Sequence, residues 1–165
     1  MTIRPIIRYP DPRLALPAAD VTDFDHALRV LADDLRDTMH AAPGIGITAP
    51  HIGVAQRLVV LELPEAGVSY YVNPQVIAAS AELQRHPEGS VSMPGVVEDV
   101  ERPAHVTVHY QDLSGAPQEV VAEGLLSVCL QHEIDQLDGV FWIQRLSRLK
   151  RERVVKRFEK LQRGG

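Results

Sequence analysis

Leu126-Ser127-Val128-Cys129-Leu130-Gln131-His132-Glu133-Ile134-Asp135-Gln136-Leu137-Asp138-Gly139 is the stretch on which the reading of the chain turns. A helix over about residues 124–137 sets His132 and Gln136 one turn apart on the same face, with Glu133 beside them. That is the layout of the H-E-x-x-H helix of metal hydrolases, with glutamine in place of the second histidine. Leu126, Leu130 and Leu137 lie along one side and Cys129, His132 and Gln136 along another, so the helix is expected to be central.

Working outward, residues 3–20 are punctuated by Pro10 and Pro12 and read as an irregular arm. A helix capped by Thr22 or Asp23 follows, with Phe24, Leu28, Leu31, Leu35 and Met39 at helical spacing, and Pro43-Gly44 stops it. Gly44-Ile45-Gly46-Ile47-Thr48-Ala49-Pro50-His51 lacks the lysine of a phosphate loop and lets backbone approach closely. From Arg57 the pattern turns to strands: 58–63, 70–77 with a proline at its centre, 96–101, 104–110 and 119–122. Asp112-Leu113-Ser114-Gly115 is a hairpin turn, and His105 and His109 share a solvated face. After the central helix come a short strand at Val140-Phe141-Trp142 and a helix from Ser147. Helix, strands and helix without βαβ alternation give the α+β class, mostly antiparallel strands around the central helix with one helix near each end.

At 165 residues, 45% hydrophobic and 24% charged, the chain has the size and balance of a single domain spanning 1–165. No apolar run reaches the length of a membrane span, and Met1-Thr2-Ile3-Arg4-Pro5 does not read as a leader. With only Cys129 for thiol chemistry, a cytoplasmic location is the expectation. Nine of the seventeen Lys and Arg but two of the twenty-two Asp and Glu lie from Arg145 onward, a local +7 against −12 for the remainder. Such a tail suits an anionic partner, or is simply a solvated helix face. Nothing points to a membrane or to sequence-specific DNA.

Three motifs stand in order: Gly44-Ile45-Gly46-Ile47-Thr48-Ala49-Pro50-His51, Glu88-Gly89-Ser90-Val91-Ser92, and Gln131-His132-Glu133-Ile134-Asp135-Gln136-Leu137-Asp138-Gly139. Together with Asn73-Pro74, Arg102-Pro103 and the basic tail, they resemble the peptide deformylase family over essentially the whole length. The resemblance implies a fold and a reaction: hydrolysis of the formyl group from N-terminal formyl-methionyl peptides at one divalent metal, Fe2+ and also Zn2+ or Ni2+. It places metal ligands at Ser90, His132 and Gln136, and the general acid/base at Glu133. Oxyanion donors fall at His51 and the Val91 backbone, with Gly46 beside them. A substrate cleft follows around Gly44, Ile45, Glu88, Gly89, Arg102 and Cys129, with Glu88 and Arg102 as an ion pair. The basic C-terminal helix implies contact with the ribosome.

The departures fall on the chemistry. The family's ligands are a cysteine and two histidines, and its oxyanion side chain is a glutamine. Ser90 offers a neutral hydroxyl for a thiolate, Gln136 a weak amide oxygen for an imidazole, and His51 a ring nitrogen for an amide. Full zinc sets are worth roughly 10–16 kcal/mol, so losing two ligands of three should abolish tight binding. The expectation is therefore a deformylase-like protein with impaired or lost hydrolysis that still binds peptide. Three other readings stay open: altered ligation with His51 or His86 assisting His132, a serine nucleophile at Ser90 with a histidine base, and a ribosome-binding protein without catalysis. Cys129 reads as a small buried hydrophobe, and Trp142 as core.

Overall fold

A computed structural model describes residues 2–164. Seven strands and three α-helices form it among the described residues: α1 (His26–Ala41), β1 (Gly46–Thr48), β2 (Leu58–Leu63), β3 (Gly67–Ala79), β4 (Leu83–Ser90), β5 (Met93–Pro103), β6 (Val106–Gln111), β7 (Pro117–Ala122), α2 (Gly124–Leu137) and α3 (Arg148–Gly164). Five strands make an antiparallel sheet in the order β1-β2-β3-β6-β7, and β4 and β5 form a separate hairpin.

Strand β2 shows why the sheet sits where it does. Its side chains alternate in direction, and both sets are apolar. Leu58 and Val60 join Leu28, Leu31, Leu35 and Met39 of α1, whereas Val59 and Leu61 join Leu130, Ile134 and Leu137 of α2. The sheet is thus covered by a helix on each face. Nearly every residue of α2 from Ser127 to Leu137 is buried, so the helix has no solvent face and is central as expected. A third cluster ties α3 to β5 through Val154, Phe158, Val96, Val100 and Trp142.

Several boundaries differ from expectation for identifiable reasons. Helix α1 begins at His26, because Asp25, not Thr22 or Asp23, accepts the Leu28 N–H at 3.1 Å. Residues 83–90, with Pro87 and Gly89 against a strand, pair along β5 over most of their length; tertiary pairing overrides local preference. The strand expected at Val140-Phe141-Trp142 is instead coil leading into a 3₁₀ turn, Trp142–Arg145, whose apolar residues turn inward. In β3, Pro74 lies at a register shift, as a residue without an N–H requires. Its neighbour Asn73, at φ 52, uses its side chain as a strand edge, bonding both the N–H and the carbonyl of Val21 at 2.8 and 2.9 Å. Asp112 closes the expected turn by accepting from Ser114 and Ala116 N–H, with Gly115 at φ 89.

Candidate functional site

The site lies where α2, the β4–β5 hairpin and the glycine segment meet. Gly44, Ile45, Gly46 and His51 form one wall, Glu88, Gly89, Ser90 and Val91 a second, and Cys129, His132 and Glu133 the floor of a cavity of about 390 Å³. Met93, Val97, Leu125 and Val128 add apolar surface that the motifs did not reveal. Two expected residues stand elsewhere. Arg102 is buried and does not line the cleft: it reaches Glu88 of the second wall from behind, and its other partner, Asp135, lies outside the lining. Gln136 is also outside the cleft lining: its amide nitrogen donates to the Leu14 carbonyl at 2.8 Å, in the 3₁₀ turn Pro12–Ala15.

Arg102 organises the floor. It grips Glu88 through two bonds of 2.6 and 2.9 Å and Asp135 through a third of 2.8 Å. Arg145 closes on the same Asp135 at 2.8 and 2.9 Å. Glu88 also meets His132 Nδ1 at 2.8 Å; a carboxylate only accepts, so Nδ1 carries the proton and Nε2 is left toward the cleft. Burial pushes Glu88 up, but the bonds from His132 and Arg102 outweigh it and hold the carboxyl down to about 2. Burial pulls His132 down, and is outweighed by Glu133 and Glu88, so its net shift is upward. Asp135 and Arg145 had no role at the sequence level. Only the fold brings Arg145 back onto α2.

Glu133 is buried, and burial, opposed by His132, raises its carboxyl to about 6. Oε2 rests against the α-carbon of Gly46, where a Cβ would collide with it and, at 2.9 Å, with Leu61; this is why glycine stands there. Oε1 is 4.0 Å from His132 Nε2 and has no hydrogen-bond partner. His51 is buried as well. Its Nδ1 accepts the Thr48 N–H at 2.9 Å and lies 2.9 Å from the Thr48 hydroxyl, while Nε2 has no partner. Burial, reinforced by His132, pushes its pKa down to about 3, so the ring is neutral. Ser90 Oγ accepts the Ser92 N–H at 3.0 Å across the hairpin turn. Burial, with Glu133 and Glu88, pushes the Cys129 thiol up to about 12, which suits an inert hydrophobe. His86 stands at the rim and donates from Nδ1 to the Pro87 carbonyl at 2.7 Å.

A larger polar hollow of about 870 Å³ borders the other side of α2, along Gln131, Ile134, Asp135 and Asp138. Its arginines are all engaged: Arg57 with Asp138 and the Pro74 carbonyl, Arg102 and Arg145 as described. The cleft, by contrast, holds two buried polar atoms in want of a partner.

A model of the polypeptide deformylase family matches residues 3–152. The chain belongs to that family. A "peptide deformylase-like" protein of Brucella suis biovar 1 is 64% identical, covering 99% of this chain and 100% of the relative. A "peptide deformylase" of the same organism is 43% identical over 98% of this chain and 94% of its own length. The solved peptide deformylase of Legionella pneumophila superposes with a TM-score of 0.92 at 39% identity, covering 98% and 96% of the two chains. The α+β architecture is therefore the deformylase fold.

The family's metal can be tested against the residues present. Of the three ligand positions, only His132 offers a good transition-metal donor. Ser90 is a neutral hydroxyl already accepting a backbone N–H, and Gln136 is bonded away from the cleft. Among the described residues, no three His, Cys, Asp or Glu side chains are placed to hold a metal ion. The donor set does not fit a divalent transition metal.

Proposed function

We propose that this chain is a deformylase-fold protein that binds the N-terminus of a peptide in the family cleft without metal-dependent deformylation. The commitment of Gln136 to the Leu14 carbonyl carries this reading. That position has become a structural tie between α2 and the N-terminal arm, and the thiolate position has become a hydrogen-bonded serine. Glu133 survives but has no metal-bound water to deprotonate. Binding is supported by what remains: an open cavity with apolar walls at Ile45, Val91, Val97, Leu125 and Val128 and a polar floor, suited to an extended chain whose first side chain is apolar. Brucella suis carries relatives of both names, so in that organism a deformylase-like chain stands beside a deformylase.

The test is a paired measurement on the native chain and the Ser90→Cys/Gln136→His variant: bound transition metal after purification, and deformylation of a formyl-methionyl peptide. The native chain is expected to hold no stoichiometric metal and to be inactive. The variant should gain metal, because it regains a thiolate and an imidazole. An active, metal-loaded native chain would refute the reading.

A further inference from the structure

The polar hollow on the far side of α2 has acceptors toward two ends and apolar surface between them. Gln131, Ile134, Asp135 and Asp138 recur at three- and four-residue spacing, so they share the helix face that lines it. Gln131 is buried, with 8% of its surface exposed. Its amide nitrogen donates to the Pro103 carbonyl at 2.9 Å and to the Ser127 carbonyl and hydroxyl at 3.2 and 2.9 Å. Those bonds fix the amide and turn Oε1 the other way, where it has no partner among the described residues. Glu101, two residues before that Pro103, also lines the hollow and is half-exposed. Two turns from Gln131, about 10 Å along the helix, Asp138 accepts from Arg57 at 2.8 Å, and Asp20 lies 3.8 Å from the same guanidinium. Ile134 stands between Gln131 and Asp138 on α2, and Val76 adds to the apolar lining.

We infer that this hollow binds a linear aliphatic polyamine, one ammonium at Gln131 Oε1 and another at the carboxylates of Asp138 and Asp20, with the methylene chain over Ile134. The inference is independent of the reading of the cleft. At about 870 Å³ the hollow has the size of a small-molecule site. Its charges choose a cation: four carboxylates, Asp20, Glu101, Asp135 and Asp138, face three guanidinium groups. Arg102 is engaged with Glu88 and Asp135, Arg57 with Asp138 and the Pro74 carbonyl, and Arg145 with Asp135 through two nitrogens. An anion would have to displace a carboxylate from one of them. An ammonium has donors only, which is what an unpartnered amide oxygen and carboxylates with spare lone pairs accept. The net −12 of the residues before Arg145 draws cations to this body of the protein. A single ammonium answers one end of the hollow, whereas two on one chain answer both and cover Ile134 with methylenes.

Spermidine is the probe and butylamine the single-charge control, both by calorimetry on the full chain at about 0.15 M salt, where diffuse attraction to the surface is screened. Spermidine should bind one to one and about tenfold or more tightly than butylamine. Gln131→Met removes the amide oxygen and Asp138→Asn a carboxylate charge, and each should weaken spermidine about tenfold, the factor for one charge-assisted hydrogen bond lost. Asp33→Asn changes the net charge as Asp138→Asn does, but on α1 and outside the hollow, and should leave spermidine binding as it was. Absence of saturable binding, equal affinity for the two amines, or a loss in Asp33→Asn as large as in Asp138→Asn overturns the inference. If Gln131→Met does not fold, the ratio of the two amines and the contrast between Asp138→Asn and Asp33→Asn still decide.

Discussion

Behind the cleft, Arg102 satisfies two carboxylates and Arg145 seconds one of them; facing the cleft, His51 Nε2 and Glu133 Oε1 have no partner. Both regions are built from the same pieces, the β4–β5 hairpin and α2. His132 belongs to both, held by Glu88 on one nitrogen and open on the other. The rear is a closed network in which every charge is answered, as a buried cluster must be if it is not to cost stability. The front carries the substitutions at Ser90 and His51 and keeps open valences. Gln136, the third substituted position, has left the front and works as part of the rear. The difference teaches that a buried support can be complete while the cleft it underlies keeps open valences.

Breaking the rear should have the largest effect. Arg102→Met leaves Glu88 and Asp135 as buried carboxylates with their shared cation gone, and such removals cost about 3–5 kcal/mol. Urea unfolding should show a loss of that size, partly recovered when Glu88→Gln is added to the same background. A loss no greater than that of an exposed ion pair, about 1 kcal/mol or less, would mean the network is not the support it looks to be.

Acid should attack the same region by a smaller and graded route. The Glu88 carboxyl is depressed in the folded chain, to about 2 from an ordinary 4.5, by His132 and Arg102 against the opposing effect of burial. A depressed folded value means the stabilisation is fully present above the unfolded value and is lost as pH falls from about 4.5 toward about 2. The urea midpoint of the native chain should therefore drop between pH 6 and pH 3 by more than that of Glu88→Gln. Parallel curves for the two would place the acid sensitivity elsewhere.

The two regions were unequally readable from the amino-acid order. Helix α2 spans the expected residues, since its apolar spacing is unbroken, and β2 and the Asp112 turn carry their signals locally. The Glu88–Arg102 pair followed from the family resemblance. Its extension to Asp135 and Arg145 did not, because nothing in the order of residues marks Arg145 until the 3₁₀ turn brings it back onto α2. On the cleft side the altered residues were visible at once, but not what they do instead. That Gln136 points to the arm depends on Leu14, 122 residues away in sequence. The hydrogen bond that holds the His51 ring needed only Thr48, three residues earlier, and a cap-like Thr-x-x-His spacing was there to be found.

Gln136 offers the mildest and sharpest test of the comparison, because it sits on the boundary between the two regions. Gln136→Leu keeps the volume at a buried position and removes one hydrogen bond, leaving the Leu14 carbonyl unpaired. A typical bond of this kind is worth about 1 kcal/mol net. The variant should lose about that much stability in urea and bind a formyl-methionyl peptide as the native chain does, since the residue does not line the cleft. A side chain serving the front would behave the other way round: peptide affinity would fall while the unfolding midpoint held. That outcome would return Gln136 to the cleft and dissolve the division between the two regions.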